Sequence, residues 1–533
     1  MEPWDNTAVE IPTIRNASSP HAWRRALVWC VAVVGVLLTS VGWATSSPVG
    51  ASPDEVHHVV YAWGVATGQT LPGRVQETWR DNGAALTNVI VPGDMLTALD
   101  RSCYAFRPET PACAIDPTRE AGIHRLTSTS MTRYPPPYYL LTGLVMRAAM
   151  GAGGSGDEAI VLARVVSGVV CLLIVGMSSV LLCRRLTTPP ALVVLALTLT
   201  PQFLFLSASV NPNGFEIACA FAQAACVVAA IHDVRYSSRV PPGLALALCA
   251  STLGLGLARP ASIVWALACA ALLLVPFGGR RALLGMTRRW RTALYASLGA
   301  GVAWFVYLNS LRQGGVTDHD LGQWEEYPLA LRFLLVVLKF GDIVESGYSL
   351  LGWADTKMPR LFLVLWLVVG AASLARLSRS GPRAVMGQRW AFSYLGVCAA
   401  ATAAQSLMAG FGWQGRYFMP CVAGFLVLLL PGMGAGGVDP ATMRNTGVLV
   451  LGTTWCLGSG ALGLNLGRYL YGYSDLYKLF EHLPVPTPVE AWEPVIPRFA
   501  PLYLGVVGGL LLLVLGLLLT LGTTRTARDT AHL

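Results

Sequence analysis

The chain has 533 residues, of which 54% are hydrophobic and only 13% charged, and its mean hydropathy is +0.54. A soluble domain of this length carries far more charge, so the composition excludes a soluble enzyme and points to a polytopic membrane protein. The formal net charge of +9 does not indicate a nucleic-acid partner, because the arginines fall in short clusters between apolar runs, as the positive-inside rule places them.

Residues 1–25 are polar and end in Arg24-Arg25, and 26–46 are apolar enough to cross a bilayer. Ala44 and Ala51 leave a cleavable signal peptide open as the alternative. On both readings the following residues emerge on the exoplasmic side. Residues 48–158 then form a polar loop too long for an ordinary connection. It holds Ser52-Pro53-Asp54-Glu55-Val56-His57-His58, a helical run through Gly68, Cys103 and Cys113, and Thr132-Arg133-Tyr134-Pro135-Pro136-Pro137. The apolar piece from Pro137 to Met150 is too short to span and reads as an interfacial helix.

With that piece left out, further spans are expected near 160–183, 189–208, 214–232, 241–258, 261–277, 292–310, 360–375, 389–409, 417–433, 446–465 and 501–521. Arg184-Arg185, Arg235, Arg280-Arg281, Arg376 and Arg444 then share the cytoplasmic side with both termini. The expected fold is an all-α bundle of about twelve transmembrane helices with a long first exoplasmic loop containing interfacial helices. Residues 26–435 form its core, and 436–533 add the last helices with an exoplasmic loop at 466–500. The apolar run Leu329 to Phe340 is another interfacial or re-entrant segment.

Most of the twelve cysteines lie in or beside apolar segments, where Cys acts as a small hydrophobe. Cys103 and Cys113 share a polar loop without a His at ligand spacing, which favours a disulfide over zinc.

Two carboxylates and two imidazoles directly after the first span exceed what a helix cap needs. Asp54 or Glu55 could cap the following helix. Alternatively, one of them takes a proton from an incoming hydroxyl, with His57 and His58 beside it. No motif demands a cofactor; a divalent cation held by Asp54, Glu55 and a His is the one cofactor the spacing allows. Arg164 lies one turn into an apolar span, where an ionisable group is by default functional. Arg259 stands at a span end before Pro260, where snorkelling is the competing reading. Arg416, in Trp413-Gln414-Gly415-Arg416-Tyr417, sits outside against the positive-inside bias and suits a lipid phosphate. Arg133 and Tyr134 suit a phosphate and a sugar ring at headgroup level, or a stiff linker with a snorkelling arginine. The acidic stretch Asp318-His319-Asp320 with Glu325-Glu326 reads as a solvated loop, and Tyr469 to Trp492 as an interfacial aromatic belt or a sugar-stacking surface.

Pro53-Asp54-Glu55-x-x-His58, Arg133-Tyr134-Pro135-Pro136-Pro137-Tyr138-Tyr139 and Ala163-Arg164-Val165-Val166-Ser167 together resemble the GT-C class of membrane glycosyltransferases. Pro201-Gln202, Asn211-Pro212-Asn213, Gly352-Trp353 and Gln414-Gly415-Arg416-Tyr417-Phe418-x-Pro420 resemble, more narrowly, a bacterial family of predicted membrane proteins of unknown function placed in that class. The resemblance runs from about residue 26 to 435. It implies catalysis by an exoplasmic acid, Asp54 with Glu55 as the neighbouring alternative, and a polyprenyl-phosphate sugar donor whose phosphate meets Arg133, Arg164 and Arg416. His57, His58, Tyr134, Asn211, Asn213, Arg259, Trp353, Trp413, Gln414 and Tyr417 are the candidate substrate-binding residues. The implied acceptor is an envelope glycan, glycolipid or protein. Abundant Arg, Ala and Gly with Lys only at 339, 357 and 478 is the composition of a GC-rich genome, and an actinobacterial source would make arabinofuranose the natural donor sugar. A flippase of lipid-linked sugars and a noncatalytic envelope scaffold are the competing readings.

Overall fold

The computed structural model describes residues 20–70, 76–79, 85–114, 116, 120–276, 278–311, 326–378, 382–409, 414–433, 438–472 and 492–529. A helix stands at every segment expected to span, so the protein is an all-α polytopic membrane protein; among the described residues it also carries a three-stranded sheet and a short two-stranded pair, Leu350–Leu351 with Thr356–Lys357. Among the described residues, six helices are long and apolar enough to cross a bilayer alone, and up to eight spans result if each of two bent pairs counts once. Part of the difference from about twelve has a local cause. Thr188–Thr198 and Pro201–Ser207 bend by 69° at Leu199-Thr200-Pro201, while Pro242–Gly256 has only 15 residues. Pro201 cannot continue the helix before it, and Thr200 restarts the chain by accepting the Phe203 N–H at 3.1 Å.

The pillar of the bundle is Pro212–Tyr236, with 94% of its most apolar stretch buried. Its alanines and cysteines let neighbouring helices approach closely from all sides. Asn211 caps it by accepting the Asn213 N–H at 3.0 Å, and Pro212 fills the first-turn position where no N–H is required.

The first helix, Pro20–Ala44, is an integral part of the bundle and packs along Ala500–Asp529. A Cβ on Gly42 would lie 2.5 Å from the Gly505 nitrogen, so the two backbones meet where side chains would hold them apart.

The long loop is a packed layer. Pro136–Gly151 packs against both Glu55–Ala66 and Gly156–Cys183. Leu140, Leu141 and Leu144 stay exposed on the second of these helices, the pattern of an interfacial element. Over this layer lies a sheet that the sequence did not suggest: β1 (Gln76–Trp79), β2 (Ala85–Pro92) and β3 (His124–Thr129), antiparallel in that order. Val89 and Val91 of β2 point into the core with Tyr61, Trp63 and Met131. A disulfide joins Cys103 to Cys113. The buried Arg468 guanidinium gathers the same loop by donating to the carbonyls of Tyr104, Arg107 and Thr110.

Candidate active site

Asp54 occupies the N-cap position of Glu55–Ala66 but makes no capping bond with its side chain. Its backbone is left-handed, φ 61° and ψ 4°, a conformation that a non-glycine residue adopts at a cost of about 1–3 kcal/mol. The carboxylate is thereby turned away from the helix and toward Arg416, whose Nη2 donates to Oδ2 at 3.1 Å. The turn is braced from behind, where Asn211 Nδ2 donates to the Pro53 carbonyl at 2.9 Å. Burial works to raise the Asp54 carboxyl and the Arg416 guanidinium to lower it; the cation prevails, and the group lies below the usual carboxylate range.

Glu55 turns to a different partner. Its Oε1 accepts from Arg164 Nε at 2.8 Å and its Oε2 from Arg164 Nη2, with both side chains fully buried. The backbone N–H groups of Gly50 and Val210 complete the carboxylate at 3.0 and 2.8 Å. Arg164 uses its remaining donors on the carbonyls of Ala44, Ser47 and Pro48, at 2.8–3.0 Å. Here a bidentate pair ties the end of the first helix, the Asp54 turn and the approach to Pro212–Tyr236 together. The sequence placed Arg164 at a phosphate and Glu55 beside the base; the geometry gives neither a free valence for a substrate.

Arg416 lies in a 3₁₀ turn, Gly415–Tyr417, only 3% exposed. Its Nη2 also donates to Tyr417 Oη at 3.0 Å, whereas Nε and Nη1 have no hydrogen-bond partner among the described residues. A buried donor without an acceptor costs about 1–3 kcal/mol, more for a charged group, so this guanidinium edge keeps donors open to a further acceptor. Arg259 also lies over the Tyr417 ring, 4.3 Å from its centre, and is countered by Glu216, 3.3 Å away, which also accepts from Ser262 at 2.6 Å. Two guanidiniums therefore lie within 5.0 Å of one phenol ring, each paired with one carboxylate.

The position of the 3₁₀ turn is set by a close backbone approach. Gly415 lies against Phe340–Ser349, where an added Cβ would fall 1.8 Å from the Ile343 carbonyl oxygen, and its N–H donates to Ser346 Oγ at 2.8 Å.

The other expected residues divide into two groups. Tyr134 and His58 belong to the cluster: the His58 ring meets Tyr134 edge-on at 5.4 Å, and Arg259 lies 5.9 Å from the Tyr134 ring. His58 is buried with Nδ1 2.8 Å from Tyr139 Oη, and burial pushes it down to about 3, which leaves it neutral near pH 7. Arg133 is exposed at the rim, its carbonyl accepting from Trp304 Nε1 at 3.1 Å. Asn211 and Asn213 are buried in the helix cap and build the turn. His57 is half-buried, and its carbonyl accepts from Thr129 Oγ1 in β3 at 2.8 Å. Trp353 stands apart, donating to the Gly50 carbonyl at 2.8 Å under the Arg101 guanidinium. Gln414 borders a cleft of about 320 Å³ together with Lys339, Asp342, Glu345, Ser346 and Lys357. Trp413, the acidic stretch from Asp318 to Glu325, and most of the 466–500 loop lie outside the described residues.

A cation held by Asp54, Glu55 and a His does not fit this arrangement, since the two carboxylates engage different arginines. Among the described residues no group of three or more His, Cys, Asp or Glu could hold a metal. Sequence reasoning missed Glu216. Its signal was a lone carboxylate at the start of an otherwise apolar span, directly after Asn213-Gly214-Phe215.

The fold and this cluster define a polytopic helical membrane protein with a charged site at one end of its bundle. A family description of predicted membrane proteins, DUF2142, matches residues 37–425, and the chain belongs to that family. No curated protein matches it in sequence. Among solved structures, it is similar to the oligosaccharyltransferase of Archaeoglobus fulgidus in the apo form, at 11% identity and a TM-score of 0.40 over 92% of this chain. The chain spans 64% of the length of that protein. It is also similar to ArnT from Cupriavidus metallidurans bound to undecaprenyl phosphate, at 16% identity and a TM-score of 0.40, covering 96% of this chain and 80% of the other.

Proposed function

We propose that the protein is an inverting glycosyltransferase that moves a sugar from a polyprenyl-phosphate donor to an acceptor hydroxyl on the exoplasmic face of the membrane. One observation carries the reading: a half-exposed carboxylate, Asp54, held 3.1 Å from a buried guanidinium whose Nε and Nη1 are unpartnered among the described residues. An acceptor oxygen attacks the anomeric carbon while Asp54 takes its proton, and the bond from that carbon to the phosphate oxygen breaks on the opposite face. Charge accumulates on the departing phosphate, where Arg416 and Arg259 stabilise it more in the transition state than before it.

Docking of the phosphate on Arg416 also draws that cation from Asp54 and restores the basicity of the carboxylate. The Glu55–Arg164 pair holds the turn in place. Arg133 at the rim meets the donor as it arrives from the bilayer. The cleft beside Gln414 offers the acceptor carboxylates and hydroxyls at the same level. Arabinofuranose is the first donor sugar to try, on composition alone, with an envelope glycan, glycolipid or protein as acceptor.

The reading is tested with purified protein in lipid nanodiscs supplied with a labelled polyprenyl-phosphate sugar. Release of free polyprenyl phosphate with transfer of the sugar in inverted configuration supports it. Scrambling of the lipid without transfer would favour a flippase instead. The gathering of ionisable groups at one end of the bundle, rather than at mid-membrane, argues against that outcome.

A further inference from the structure

A second polar cavity lies at the other end of the central helix. Between Asn213 and His232 that helix rises by about 28 Å, close to the thickness of a bilayer hydrocarbon core. The cavity, about 400 Å³, is therefore a membrane thickness from Asp54 and opens on the opposite surface. It is lined by the arginines Arg185 and Arg235 with His232, and its floor is apolar, formed by the buried Ile231, Leu428 and Trp390. Arg185 is held in place by Asp233, which accepts from Nε at 2.8 Å and from Nη2 at 2.8 Å. Its Nη1 takes no bond among the described residues and is oriented without being consumed. Arg235 and Tyr236 are exposed beside it.

We propose that this cavity binds the headgroup of an anionic phospholipid from the cytoplasmic leaflet, with the phosphate on Arg185 and Arg235 and the first chain methylenes against Ile231, Leu428 and Trp390. A pre-oriented guanidinium over an apolar floor at the membrane surface suits an amphiphile with a phosphodiester. A soluble anion would use the rim alone and gain nothing from the floor. Binding there clamps the end of the central helix whose other end caps the Asp54 turn. The site is independent of the reaction proposed above.

The test uses full-length protein in nanodiscs of phosphatidylcholine, with and without phosphatidylglycerol. Wild type is expected to unfold at a higher temperature with phosphatidylglycerol and to retain that lipid in native mass spectra. Arg235→Gln and Arg235→Glu, at an exposed position, are expected to match wild type in phosphatidylcholine and to lose the gain, with retention weaker by about tenfold, the worth of one charge-assisted bond. Equal stabilisation of wild type in both discs, or an unchanged gain in both variants, overturns the proposal. So does the same gain from inorganic phosphate in phosphatidylcholine discs, which would assign the rim to a free anion.

Discussion

Asp54 and Arg416, far apart in the chain, meet at 3.1 Å, and the arginine is the more buried of the two, with its side chain 4% exposed against 42% for the aspartate. The carboxylate faces the open side while the cation sits behind it with donors to spare. Because the pairing depresses the Asp54 carboxyl, its base form persists from neutral pH down to below the ordinary carboxylate value. The acid limb of kcat/KM, which reports free enzyme, is expected below the ordinary aspartate value of about 3.9. The limb of kcat should lie higher, because bound donor phosphate competes for Arg416. Coincident limbs would mean that the phosphate does not dock on this arginine.

Substitution of Arg416 separates charge from geometry. Arg416→Gln should lower kcat by about 10²–10³, the loss typical of removing one donor to a developing anion. Arg416→Lys should recover little of it, since a lysine cannot offer two parallel N–H groups to a phosphate while also reaching Asp54 and Tyr417. Steady-state kinetics with a fixed lipid donor reads both. Full rescue by lysine would show that only net charge matters.

Gly415→Ala tests how the 3₁₀ turn is placed. The new methyl would collide with the Ile343 carbonyl, and backbone rather than a flexible side chain must give way. Overpacking of this kind costs about 1–3 kcal/mol. We expect a displaced Arg416, visible as weakened donor binding, in a protein that still unfolds cooperatively. Wild-type kinetics in this variant would contradict the close approach.

His58 makes stability depend on pH. Its folded value of about 3 lies below the ordinary 6.5, so the unfolded chain binds the proton first as the pH falls. Its contribution is complete above 6.5 and is lost on acidification at about 1.4 kcal/mol per pH unit until the folded value is reached. Thermal unfolding between pH 7 and 5 should show this slope in wild type and not in His58→Gln. An identical slope in both would assign it to other groups.

The helical architecture was legible because long apolar runs separated by arginines leave few alternatives once Pro137 to Met150 is kept out of the count. The sheet was not, since β3 reads His-Arg-Leu-Thr-Ser-Thr with little alternation and is stabilised mainly by its partner strand. In the site, Asp54, Arg416, Arg259, Tyr134 and Tyr417 were each marked by charge or aromaticity in an apolar setting, and they converge. Arg164 and Glu55 carried the same mark for a structural reason: a fully buried ion pair and one with an exposed carboxylate look alike until partners are known. Which acid faces Arg416 is decided by the left-handed turn at Asp54, and no residue-level signal announces that turn.

On the proposed reading, the adjacent acids Asp54 and Glu55 do separate work. Removing one partner from a buried ion pair costs about 3–5 kcal/mol, so Glu55→Gln should lower the unfolding temperature sharply. Asp54→Asn should lower it far less, because this acid is half-exposed and the amide oxygen can still accept from Arg416. The direct measurement is sugar transfer from a polyprenyl-phosphate donor by the Asp54→Asn protein, compared with wild type at matched folded fraction. A loss of about 10²–10⁴ in kcat, the range for a general base, is expected, with an unfolding temperature far closer to that of wild type than in Glu55→Gln. Transfer at the wild-type rate by the folded Asp54→Asn protein would contradict it.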